Sequence, residues 1–146
     1  MPDDATPFPR LPNVKAWDGM SEEERALAAR DMEVYAAMVD RMDQGIGRIV
    51  AELKRREMFD NTLIFFLQDN GGCAENYGRG GTSGPRADKP TLPPLPDDYL
   101  QPHMTPKQDR LGNPMRQGKG ALAGPADTCI GYGKGWATVS NTPFRE

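Results

Sequence analysis

Apolar residues recur at spacings of three and four from Met32 through Tyr35, Ala36, Val39, Met42, Ile46, Ile49, Val50 and Leu53, one stripe of a long amphipathic helix. Just upstream, Met20-Ser21-Glu22-Glu23-Glu24 has the form of a capping box. Ser21 stands as N-cap, Glu24 reaches back to its amide, and the acidic first turn suits the helix dipole. A helix is therefore predicted to begin there. Gly45 and Gly47 interrupt the stripe, each costing about 1 kcal/mol against alanine, so a kink or a close helix-to-sheet approach is expected. The pattern then changes. Asp60-Asn61 supplies a turn, and Leu63-Ile64-Phe65-Phe66-Leu67 is apolar without alternation, as in a strand buried on both faces of a parallel sheet. The run stops at Gln68-Asp69-Asn70-Gly71-Gly72. In open α/β folds ligands bind beyond the carboxyl ends of the strands, which is where Asp69 and Asn70 fall. Two hard oxygen donors side by side suit Ca²⁺ or Mg²⁺, although Asp-Asn-Gly taken alone is also a common turn.

The second half of the chain has a different texture. Of the 16 glycines and 14 prolines, 23 follow Leu67, so turns and loops are expected there in place of regular core elements. Residues 78–127 read as a long loop, either a surface insert without catalytic role or a lid beside Asp69 and Asn70. In the second case Lys89, Lys107, Arg110, Arg116 and Lys119 would attract an anion. His103, the one histidine, stands in a Pro-flanked stretch that offers no fixed geometry for acid-base work. Asp40 and Asp43 fall within the helix, on what reads as a solvated face.

Charge and cysteine usage narrow the field. The net charge is −3 and the basic residues are scattered among acids, so no nucleic-acid footprint is present. There is no 18-residue apolar run for a membrane span and no apolar segment near Met1 for targeting. Two cysteines allow one disulfide at most, and their spacing matches no zinc or redox motif.

Two separated segments carry a family resemblance. Tyr35-Ala36-Ala37-Met38-Val39-Asp40-Arg41-Met42-Asp43-Gln44-Gly45-Ile46-Gly47-Arg48-Ile49, followed by Asp60-Asn61-Thr62-Leu63-Ile64 and Asp69-Asn70-Gly71-Gly72, resembles the arylsulfatases of the alkaline phosphatase superfamily. Gly133-Lys134-Gly135-Trp136-Ala137-Thr138-Val139-Ser140-Asn141-Thr142-Pro143-Phe144-Arg145 resembles that family's segment leading to its catalytic lysine. The resemblance spans roughly residues 8–77 and 125–146. Gln68 departs from it, standing where the family more often has Ser or Thr.

The resemblance implies an α/β fold, a slice of an alkaline-phosphatase-like sandwich with a mostly parallel central sheet flanked by helices. On this reading residues 1–77 are the helix-strand part ending in the metal-binding turn, 78–127 the Pro/Gly-rich insert, and 128–146 a segment at the edge of the active site. It also implies hydrolysis of a sulfate ester by a formylglycine nucleophile and a calcium or magnesium ion, with Asp69 and Asn70 among the metal ligands. Arg145 would touch the sulfate or hold a loop, Trp136 and Phe144 would be packing anchors, and the setting would be periplasmic or secreted. Formylglycine forms from Cys or Ser in Cys/Ser-x-Pro/Ala-x-Arg. Neither Cys73-Ala74-Glu75-Asn76-Tyr77 nor Cys129-Ile130-Gly131-Tyr132-Gly133 fits, and Ser83-Gly84-Pro85-Arg86-Ala87 has Ala where Arg is needed. No catalytic nucleophile is therefore expected in this chain, which reads as a central part of a sulfatase without its N-terminal formylglycine segment. The alternatives are a phosphodiesterase or phosphonate hydrolase of the same superfamily, or a non-catalytic remnant acting as a binding module.

Overall fold

The computed structural model describes residues 11–81 and 84–141. Its dominant element is α1 (Glu22–Arg55), which begins at the capping box: the Ser21 hydroxyl accepts from the Glu24 amide at 3.1 Å and the Glu24 carboxylate accepts from the Ser21 amide at 2.9 Å. Lys15 also donates to Glu24, and these donors, Lys15 foremost and then the Ser21 amide, hold the Glu24 carboxyl below its usual range. Gly45 and Gly47 leave the helix unbroken. On its solvent face Gln44 donates to Asp40 at 2.6 Å and accepts from Arg41 at 2.9 Å, the local pairing expected of exposed helix residues.

The helix ends in a Schellman motif. The Met58 amide reaches back to the Leu53 carbonyl and the Glu57 amide to that of Lys54, with Glu57 left-handed at φ 57°. Glycine is the residue suited to that position, so Glu57→Gly is expected to raise chain stability by about 1 kcal/mol, read as a higher urea midpoint. A lower midpoint would mean that the Glu57 side chain matters more than its backbone strain.

After a 3₁₀ turn (Phe59–Asn61), capped by the Thr62 hydroxyl donating to the Met58 carbonyl at 2.7 Å, the chain enters the apolar run in extended geometry. Here the predicted sheet is not formed. Residues 62–68 make no strand pairing among the described residues, which contain two isolated bridges, Gln108 with Pro114 and Arg116 with Thr128. A strand is stable only with neighbours to satisfy its amides and carbonyls, and none lies alongside. Leu63 is accordingly 79% exposed, Phe65 74% and Leu67 81%. Met38 and Ile49 on the α1 stripe are exposed as well. The chain's total accessible surface of 11719 Å² compares with roughly 7,400 Å² for a compact protein of this mass. The helix stripe and the apolar run are thus formed but uncovered.

Buried positions concentrate instead where α1 meets the second half. The ties of α1 to distant residues fall between Glu24 and Tyr35: Arg30 donates to the Ala123 carbonyl at 3.1 Å, Trp136 to that of Ala28 at 3.0 Å, and Tyr35 lies 5.3 Å from Tyr132 between ring centroids. A short helix, α2 (Gly133–Ser140), packs there with Ala137 in the core. Residues 84–127 contain no helix or strand, but turns are cross-tied by backbone bonds such as Leu92 to Gly112, Leu95 to Arg110 and Arg116 to Asp127. Asp109 organises one of these turns, accepting from the amides of Leu111 and Asn113 and from the Asn113 side chain. Burial alone would raise its carboxyl's pKa; the hydrogen bonds from Asn113, Leu111 and Gly112 outweigh that and lower it. Asp127 is fully buried between Arg86 at 3.3 Å and Arg116 at 3.7 Å. Among the described residues no helix is long and apolar enough to cross a membrane.

Candidate functional site

Asp69 and Asn70 follow the apolar run directly and stand exposed on the turn that ends it. What fixes this turn is Asn141, at the end of α2. Its amide oxygen accepts from the Gly72 amide at 2.7 Å and its amide nitrogen donates to the Gly72 carbonyl at 3.2 Å, so one side chain mimics a strand neighbour and satisfies both backbone groups. The clamp joins residues 69 positions apart. It also joins the two segments that carried the resemblance, since Asn141 belongs to the second of them. The approach is close enough to require glycine: a Cβ on Gly71 would run into the Asn141 amide, and one on Gly72 would lie 2.5 Å from the Tyr132 hydroxyl and 3.4 Å from the Ala137 backbone. Gly71→Ala is expected to cost about 1–3 kcal/mol by overpacking. Gly47→Ala, with nothing within 4 Å of the new methyl in α1, should instead gain about 0.5–1 kcal/mol. Urea melts of both variants check the pair, and equal effects would show that the clamp is not tight.

Beside the turn opens a cleft of about 630 Å³ lined by Tyr35, Asn70, Gly72, Cys73, Tyr132 and Asn141. Cys73 and Cys129 are both free thiols. Beneath Tyr132 lies a feature that sequence reasoning missed. Asp31 on α1 is buried and paired with Arg79, whose Nε donates to the Gly131 carbonyl at 2.8 Å. Burial raises the Asp31 pKa, and the Arg79 charge and hydrogen bond offset this only in part. The available signal was an aspartate four residues before Tyr35, on the face that α1 turns inward.

The other candidates disperse. His103 is exposed in its loop. Arg110 donates to the carbonyls of Pro96 and Tyr99, and Arg116 faces Asp127, so these two cations brace the long loop. Trp136 does act as an anchor, through Ala28. Phe144 and Arg145 lie outside the described residues. No group of three or more His, Cys, Asp or Glu side chains able to hold a metal occurs among the described residues.

The sequence of the chain has known relatives. Residues 4–118 match the sulfatase family, and the chain belongs to it. An uncharacterised sulfatase of Schizosaccharomyces pombe is 32% identical over 132 residues, 90% of this chain and 20% of that protein. An arylsulfatase of Klebsiella aerogenes is 32% identical over 142 residues, 97% of this chain and 25% of that protein. An uncharacterised sulfatase of Escherichia coli, YdeN, is 35% identical over 63 residues, 43% of this chain and 11% of that protein. No solved structure matches significantly. The chain thus spans a fifth to a quarter of the length of the first two of these relatives. Membership in the family implies an alkaline-phosphatase-like α/β fold, of which the described residues supply helices and an unpaired apolar run.

Proposed function

We propose that this chain is part of the catalytic domain of a sulfuric ester hydrolase, with Asp69 and Asn70 supplying two oxygen ligands to a divalent cation, Ca²⁺ or Mg²⁺. The observation that carries this reading is the Asn141 clamp on Gly72, which holds the Asp69-Asn70 turn from behind. The donor set fits a hard cation: a carboxylate and a carboxamide, adjacent, exposed and backed by a fixed backbone. Further ligands would come from other parts of the enzyme. When bound, such an ion would neutralise sulfate oxygens and orient the ester, a Lewis-acid and templating role. The chain's own contribution is positional. Asn141 and the two glycines fix the turn, Tyr132 walls the cleft, and the apolar run would take its place as a strand of the family's central sheet, covered by the rest of the domain.

None of the chain's cysteines or serines begins a formylglycine motif. Calcium affinity tests the metal reading. Asn70→Ala in the intact enzyme is expected to weaken Ca²⁺ binding about tenfold or more in calorimetric titration, since one of six to eight ligands is lost. Unchanged affinity would remove the turn from the metal site.

A further inference from the structure

Tyr132 is held from several sides, and its hydroxyl is left over. Its ring stands 5.3 Å from that of Tyr35 on α1, with the planes at 31°. The residue before it is pinned at both backbone groups: the Gly131 amide donates to the Tyr77 carbonyl at 2.7 Å, and the Gly131 carbonyl accepts from Arg79 at 2.8 Å. The residue after it, Gly133, opens α2 at φ 82°. The phenol is thus placed by α1, by the Arg79 segment and by α2 together. Its outer end reaches the turn, where a Cβ on Gly72 would lie 2.5 Å from the hydroxyl oxygen. The Gly72 amide and carbonyl are already engaged by Asn141, and the Tyr132 hydroxyl makes no hydrogen bond among the described residues. A half-buried tyrosine ordinarily finds a partner for its O–H, and here the space beside it is the cleft that it shares with Asn70.

The lining of that cleft bears on what the partner is. Gln68, Cys73 and Ser140 complete it, and none of its lining residues is Asp, Glu, Lys, Arg or His. An anion entering it meets no lining carboxylate. An O–H group donates about twice as strongly to a charged oxygen as to a neutral one. A neutral donor also suits a place beside a divalent cation, because a lysine or arginine there would repel the ion. We propose that the Tyr132 hydroxyl is a sulfate-binding donor of this site, giving its hydrogen bond to an oxygen of the anion held over the Asp69-Asn70 turn. The place of the anion rests on the function proposed above. Tyr132 itself supplies no metal ligand, so the two readings fail separately.

Tyr132→Phe removes one oxygen atom and keeps the ring against Tyr35. In the intact enzyme loaded with Ca²⁺, calorimetric titration with sodium sulfate is expected to show about tenfold lower affinity, the worth of one hydrogen bond to a charged acceptor. Ca²⁺ affinity, measured without sulfate, should stay at the wild-type value. With a sulfate ester the loss should fall on KM and leave kcat nearly unchanged, since the bond is made in the bound ester and in the transition state alike. Unchanged sulfate affinity in Tyr132→Phe would overturn the proposal. So would a parallel fall in Ca²⁺ affinity, which would make the hydroxyl a prop of the turn and not a contact of the anion. Asp69→Ala tests the metal turn on its own. Calcium affinity intact in Asp69→Ala would sink that turn, and a tenfold sulfate loss in Tyr132→Phe would still support an anion contact at Tyr132. Calcium binding lost in Asp69→Ala, with sulfate affinity untouched in Tyr132→Phe, would sink the hydroxyl's role alone.

Discussion

Asp69→Ala in the intact enzyme is expected to lower aryl sulfate hydrolysis by at least about 10²–10³-fold, the scale on which removal of one preorganised electrostatic element is felt. The carboxylate brings the one formal negative charge of the Asp69-Asn70 pair, and that charge offsets the cost of dehydrating a divalent ion. Asp69→Asn keeps the shape and an oxygen donor but loses the charge, so it should impair both metal affinity and rate to a smaller degree. Asn70→Asp should bind the ion more tightly and turn over more slowly, because a second negative charge beside the sulfate opposes the anionic substrate. Paired calcium titrations and aryl sulfate assays read these effects. A fully active Asp69→Ala variant would take the proposed function with it.

Arg79→Ala is expected to cost about 3 kcal/mol of chain stability, because it strands a buried carboxylate instead of deleting a pair. Asp31 lies 92% buried beside it. Its carboxyl is already held above the usual carboxylate range, burial being the largest cause and Arg79 the restraint. A raised carboxyl pKa means that the folded chain holds the proton more tightly than the unfolded chain. The contribution of Asp31 to stability is thus greatest below the unfolded pKa and is lost as pH rises through the folded one. Removing Arg79 pushes the folded pKa further up and widens that window. Urea midpoints should therefore fall much more at about pH 8 than at about pH 4, and Asp31→Asn in the Arg79→Ala background should recover most of the loss at the higher pH. A loss equal at both values would mean that Arg79 acts through its bond to the Gly131 carbonyl and not through Asp31.

Local features of this chain were legible and distant ones were not. The Ser21 and Glu24 cap is written within four residues, and the α1 stripe within one period, so both follow from the sequence. The strand character of Leu63–Leu67 is likewise local. Whether that segment pairs depends on neighbours elsewhere, and composition does not reveal them. The Asp31–Arg79 pair spans 48 residues and the Asn141 clamp 69, distances over which no periodic pattern connects the partners. Asn141 stood inside a segment singled out by resemblance, but its role as a side-chain substitute for a strand neighbour needed coordinates. The long loop carries no helix or strand over residues 84–127. Its order comes from Asp109, Asp127 and backbone cross-ties, which turn-rich sequences conceal because Gly and Pro mark bends and not their partners.

The exposed apolar run also has a meaning in time. Residues 61–68 are uncharged and free of proline, with aspartates at 60 and 69 standing at either end. Such a segment invites pairing with its own kind, and flanking carboxylates act as gatekeepers against that. In the sheet that family membership implies, whose other strands are not among the described residues, the run would wait through synthesis for its neighbours, since non-local pairing is slow. Asp69 would then serve twice: as a brake on association while the nascent chain is unfinished, and as a metal ligand once it is folded.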